Sequence, residues 1–154
     1  MKPKDKKHYV NNAEFLEALK IYRIQLQQAK EQGKPKPKIP NYLGECIYKI
    51  ASHLSYKPNF INYTFRDDMV SDAIENSLLY IDRFDPAKSS NPFAYFTQIS
   101  WYAFLRRIQK EKKEVDIRHK LIEKFGNSHI FNSGDCDTNQ MNAIKSNLKM
   151  KNKK

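Results

Sequence analysis

Residues 92–114 read PFAYFTQISWYAFLRRIQKEKKE, and the spacing of their apolar side chains sets the class of the fold. At 100° per residue, Phe93, Phe96, Ser100, Ala103, Phe104 and Ile108 gather on one side of a helix, the side that faces a core. The opposite side carries Tyr95, Gln98, Tyr102, Arg106, Gln109 and Lys113, with Trp101 and Leu105 on the flank between them. A helix face that meets only water seldom sets two tyrosines in line with amides and cations. Rings can stack on unpaired bases, amides can bond base edges, and Arg or Lys can neutralise phosphates. The structural alternative is that Tyr95, Trp101 and Tyr102 pack beneath a neighbouring helix. As a set, followed by Arg106, Arg107, Lys110, Lys112 and Lys113, they point to nucleic acid. Asn91-Pro92 supplies an N-cap and a proline at the first helical position, so a helix is expected over 92–125.

Upstream, the apolar period is helical almost throughout. Asn11 and Glu14 stand at capping-box spacing, and Phe15, Leu19, Tyr22, Leu26 and Ala29 then mark one face of a helix over 12–32. Gly33 ends it. Residues 33–40, GKPKPKIP, form an extended Pro/Lys linker, because proline blocks both helix and central strand. A second helix over 41–56 turns Leu43, Cys46, Ile47, Ile50, Ala51 and Leu54 to one side and stops before Pro58. A third is expected over 64–84, with Thr64 as cap and Asp67 at the capping-box position. Its core stripe is Met69, Val70, Ala73, Ile74, Ser77, Leu78 and Ile81. No segment shows strand alternation, and the expected class is an all-α helical bundle. Residues 1–11 read as a basic N-terminal tail and 127–154 as a polar, then lysine-rich, tail without a fixed fold.

The bulk composition narrows the partners. The chain has 154 residues and a net charge of +11, which favours a polyanion or an acidic protein surface. Mean hydropathy is −0.80, and no apolar run approaches the ~18 residues of a membrane span. The start MKPKDKKHYVNN has no apolar stretch after its lysines, so it does not read as a secretory signal. Cys46 and Cys136 are the only cysteines, with no CxxC spacing. A cytosolic protein is expected, with no cofactor and no membrane contact.

The third helix is electrostatically the reverse of the fourth. Between Ile61 and Asp85 stand six acids (Asp67, Asp68, Asp72, Glu75, Asp82, Asp85) against Arg66 and Arg83, a net of −4. An acidic face repels DNA and suits a basic protein surface.

These two segments carry a family resemblance. DMVSDAIENSLLYIDRFDP, from Asp68 to Pro86, resembles the second conserved region of bacterial sigma factors, and residues 92–114 resemble that family's aromatic-then-basic helix. More narrowly, YVNN at 9–12, NPFAYFTQ at 91–98 and AFLRRIQKEKKEV at 103–115 are similar to the late-transcription sigma factors of T-even-type bacteriophages. The likeness covers roughly residues 9 to 126 and makes 12–126 a helical sigma-like domain. It implies binding to a multisubunit bacterial-type core RNA polymerase, at the coiled coil of its largest subunit, through Asp68, Ser71, Asp72 and Glu75. It also implies recognition and opening of A·T-rich promoter DNA, as at phage late promoters, by Tyr95, Gln98, Trp101, Tyr102 and Arg106. Arg107, Gln109, Lys110, Lys112 and Lys113 would extend that contact, Arg and Lys on phosphates. The implied setting is the cytoplasm of an infected bacterial host. Two departures stand out. Two of the polymerase-facing positions commonly carry Gln and Glu in the family, a pattern from which Ser71 departs, and the chain ends AIKSNLKMKNKK, not in the acidic-hydrophobic motif through which the phage proteins meet the polymerase flap and the sliding clamp. That puts a clamp or coactivator partner in question.

Rival functions leave weaker traces. His8, His53, His119 and His129 have no HxH or HExxH spacing, His129 with Asp135, Cys136 and Asp137 is a poor metal set, and no Walker loop, GxSxG or GxGxxG occurs. An enzyme is not expected. The alternative function is a stand-alone DNA-binding regulator of helix-turn-helix type, but the connection from Ile81 to Pro92 is long and carries two prolines, against that geometry.

Overall fold

A computed structural model describes residues 8–125. Among them are four α-helices and no strand: α1 (Asn12–Glu31), α2 (Asn41–Ser55), α3 (Arg66–Tyr80) and α4 (Pro92–Phe125), with a 3-10 turn at Ile81–Arg83. The all-α reading holds. None of these helices is long and apolar enough to cross a membrane. The expectations for residues 127–154, and for 1–7 of the N-terminal tail, lie outside the described residues.

The chain divides into two compact units, Met1–Arg107 and Ile108–Lys154. The division falls inside α4. Periodicity reports which face of a helix is apolar and says nothing of how contacts are apportioned along it.

In the first unit α1 opens as its residues dictate. The Asn11 side chain accepts from the amides of Ala13 and Glu14, satisfying two orphan N–H groups at the helix start. Gly33, at φ 65°, closes the helix in the left-handed conformation that only glycine adopts without strain. The next residues run without helix or strand to Pro40, after which α2 begins. Leu43, Cys46, Ile47, Ile50, Ala51 and Leu54 are all buried, the full stripe expected of α2. Leu43, Cys46, Ile47 and Ile50 join Phe15, Leu19 and Tyr22 of α1, Ile81, Phe84 and Phe96 in one hydrophobic core. Burying each large side chain contributes about 1.5–3 kcal/mol relative to exposure.

The start of α3 departs from expectation. Thr64 does not cap it. The cap position belongs to Phe65, which makes no side-chain cap bond, and the helix begins at Arg66. Ring packing organises this approach instead. Phe65 lies 5.1 Å from the Tyr63 ring, and the Arg66 guanidinium sits 4.2 Å over Tyr56. At its far end α3 stops at Tyr80 and tightens into the 3-10 turn, short of the expected 84. Phe84 then drops into the core in an extended conformation, and an extended residue cannot continue a helix.

One asparagine pair, Asn12 and Asn91, joins the beginnings of α1 and α4. Asn12 Nδ2 donates to Asn91 Oδ1, the Phe93 amide donates to Asn12 Oδ1, and the Ala94 amide donates to Asn91 Oδ1. The runs YVNN and NPFAY, remote in sequence, therefore meet in space, and Asn12 and Asn91 together cap the start of α4.

Candidate functional site

The expected DNA-facing residues of α4 divide on inspection. Within the first unit Gln98, Tyr102 and Arg106 are exposed, Tyr102 by 51%. Trp101 is half-buried, with its ring edge-on to Phe60 at 4.9 Å. Tyr95 is not on the outer face. Its ring packs 5.2 Å from Phe84 and 5.0 Å from Phe96, and its hydroxyl donates to the Tyr80 carbonyl at 3.0 Å. Burial raises the Tyr95 pKa, the Arg83 charge pulls it partly back, and Tyr80 adds a smaller push upward. The helical wheel misplaced Tyr95 because it shows a direction only; Phe84, arriving from the turn after α3, covers that flank.

What remains open is a shallow depression of about 410 Å³, lined by Phe93, Ala94, Thr97, Gln98, Trp101 and Tyr102. Three rings and one amide share it. The Thr97 hydroxyl donates to the Phe93 carbonyl at 2.7 Å, one turn back along the helix. Phe93 belongs to this site although its spacing assigned it to the core; a half-buried ring at the first turn of a helix serves both. Phe60, which backs Trp101 and lies 5.0 Å from Phe104, had no periodic signal in the loop after α2. In the second unit Gln109, Lys110, Lys112 and Lys113 are all exposed.

Arg107 is a correction. It was expected on phosphate, yet its Nε and Nη2 donate to both carboxylate oxygens of Asp72, at 2.6 and 2.8 Å. The two side chains are 19% and 27% exposed. This is the fork-to-fork geometry that makes an Arg–carboxylate pair strong and directional. Asp72 is thereby corrected too: of the expected polymerase-facing set it is engaged within the fold, while Asp68, Ser71 and Glu75 are exposed. Two more acids of the same stretch are held. Asp82 pairs with Lys36 at 2.7 Å, which raises the lysine pKa, and Asp85 pairs with Arg23 at 3.5 Å. Arg23 also donates to the Phe84 carbonyl at 2.6 Å, so the turn after α3 is clamped to α1. Asp67, Asp68 and Glu75 enter no ion pair with another described residue, and beside them Leu79 is 64% exposed. The outer face of α3 is thus a short acidic strip with an apolar edge.

The sequence matches no protein-family model and no curated protein. Among the described residues no group of three or more His, Cys, Asp or Glu is placed to hold a metal ion. The His129, Asp135, Cys136 and Asp137 set lies outside the described residues.

Proposed function

We propose that the chain is a sigma-like transcription initiation factor, binding a multisubunit bacterial-type core RNA polymerase and helping it recognise and open A·T-rich promoter DNA, as at phage late promoters. The observation that carries the proposal is the pairing of two unlike surfaces in one unit. An acidic strip on α3 (Asp68, Ser71, Glu75) suits a basic protein partner, and the Trp101–Tyr102 depression with Gln98 and Arg106 suits unpaired bases and their phosphates. A DNA-binding module acting alone has no use for the acidic strip, since it would repel the duplex. Gln109, Lys110, Lys112 and Lys113 add exposed cations and an amide farther along α4, where backbone phosphates would be neutralised.

The test uses core polymerase and an A·T-rich promoter template. The wild-type chain should co-purify with core enzyme and render promoter thymines reactive to permanganate. Glu75→Arg should lose co-purification while keeping its circular-dichroism spectrum. Tyr102→Ala should keep co-purification and lose opening, as stacking of one base is worth about 1–3 kcal/mol. A chain that shifts duplex DNA unaided and ignores core polymerase is a stand-alone regulator, and the proposal is then wrong.

A further inference from the structure

The described part of the second unit, residues 108–125 of α4, is two-sided, and its apolar side is open. Ile117, Leu121 and Phe125 form one row at four-residue spacing and are 47%, 49% and 48% exposed. Val115 and Ile122 lie beside that row and are also exposed. At 100° per residue the five share an arc of about 160°, which is the width of a core-facing stripe. In a helix of this kind such a stripe marks a surface that another element covers.

The charges around the stripe identify what kind of element. Residues 108–125 carry six cations (Lys110, Lys112, Lys113, Arg118, Lys120, Lys124) against Glu111, Glu114, Asp116 and Glu123, a net of +2. Lys113 heads the Ile117 row, and Lys120 and Lys124 form the row next to it. The Lys124 ammonium sits 5.5 Å over the Phe125 ring, at the border of apolar and basic surface. We propose that this face docks an acidic, amphipathic helical segment of another protein, its apolar residues on Ile117, Leu121 and Phe125 and its carboxylates toward Lys120 and Lys124.

Other occupants fit less well. DNA offers no apolar surface to cover five large hydrophobic side chains. A second copy brings the same positive charge. So do residues 126–154, with five lysines against Asp135 and Asp137. The inference is independent of the transcription proposal.

The test is fluorescence anisotropy with the full-length chain and a labelled eighteen-residue peptide of Glu and Leu, the Leu at helical i, i+4, i+7 spacing. Saturable binding is expected, with a matched Lys/Leu peptide at least about tenfold weaker. Leu121→Asp with Phe125→Asp should weaken the Glu/Leu peptide by about tenfold or more, because truncating a central apolar anchor removes most of an interface's affinity. Lys120→Glu with Lys124→Glu should weaken it in the same direction and favour the Lys/Leu peptide. Circular dichroism confirms that each variant remains helical. Absent binding, equal binding of both peptides, or indifference to the Leu121/Phe125 change overturns the proposal. So does tighter partition onto phosphatidylglycerol vesicles, or self-association in sedimentation that the same change abolishes.

Discussion

Helix α3 and the first part of α4, up to Arg107, both turn a stripe of small and apolar residues inward, yet their outer faces are made by different means. On α3 half of the acids in the surrounding stretch are engaged: Asp72 by Arg107, Asp82 by Lys36 and Asp85 by Arg23. The acidic surface left over is much smaller than the count of carboxylates suggests. On α4 the attrition falls on the rings. Tyr95 is half-buried against the core, Trp101 is half committed to Phe60, and Tyr102 is the most exposed of the three. Neither a charge count nor a ring count gives a binding surface; each must first be reduced by what the fold itself uses.

The sharpest way to break this contrast is to separate Trp101 from Tyr102. Trp101→Ala should cost about 2–3 kcal/mol of stability in urea unfolding, below the range for a fully buried aromatic because the ring is half exposed. Tyr102→Ala should cost no more than about 0.5 kcal/mol. Equal costs would mean that the two rings share one environment and that the open depression is misjudged.

Asp72→Asn comes next. It removes a carboxylate that accepts two charged hydrogen bonds, and the loss should be about 1.5–3 kcal/mol. A cycle with Arg107→Gln should show strong coupling, since the two groups meet directly. If Asp72→Asn instead leaves stability intact and abolishes polymerase binding, Asp72 belongs to the interface after all.

Tyr95→Phe should cost less than Asp72→Asn, about 0.5–1.5 kcal/mol for the hydroxyl bond to Tyr80. It also has a pH signature. Burial raises the Tyr95 hydroxyl above its ordinary 10.0, so the folded form holds that proton more tightly than the unfolded chain does. The stabilisation is complete below pH 10 and is lost as the pH climbs through the raised value. Alkaline unfolding should therefore be shallower in Tyr95→Phe. It should not vanish, because burial raises Tyr9, Tyr22 and Tyr42 as well.

Much of the first unit is legible without coordinates. The α2 stripe is legible in full, and Asn91-Pro92 sets the start of α4. Periodicity and capping are local, so a sequence exposes them directly. The α3 start was misread because Thr64 satisfies a local rule that the packing of Tyr56, Tyr63, Phe65 and Arg66 overrides. Phe60 left no trace because a lone aromatic in a loop has no period.

The sequence by itself determined four helices, their inward stripes, the acidic cast of α3 and the ring-and-cation run of α4, since each follows from spacing along a single segment. Tertiary structure alone decided which polar and aromatic groups remain available. Asp72 and Arg107 stand 35 residues apart, and Tyr95 finds its carbonyl 15 residues away. Such pairings depend on how separate helices approach one another, and no pattern within either helix encodes that.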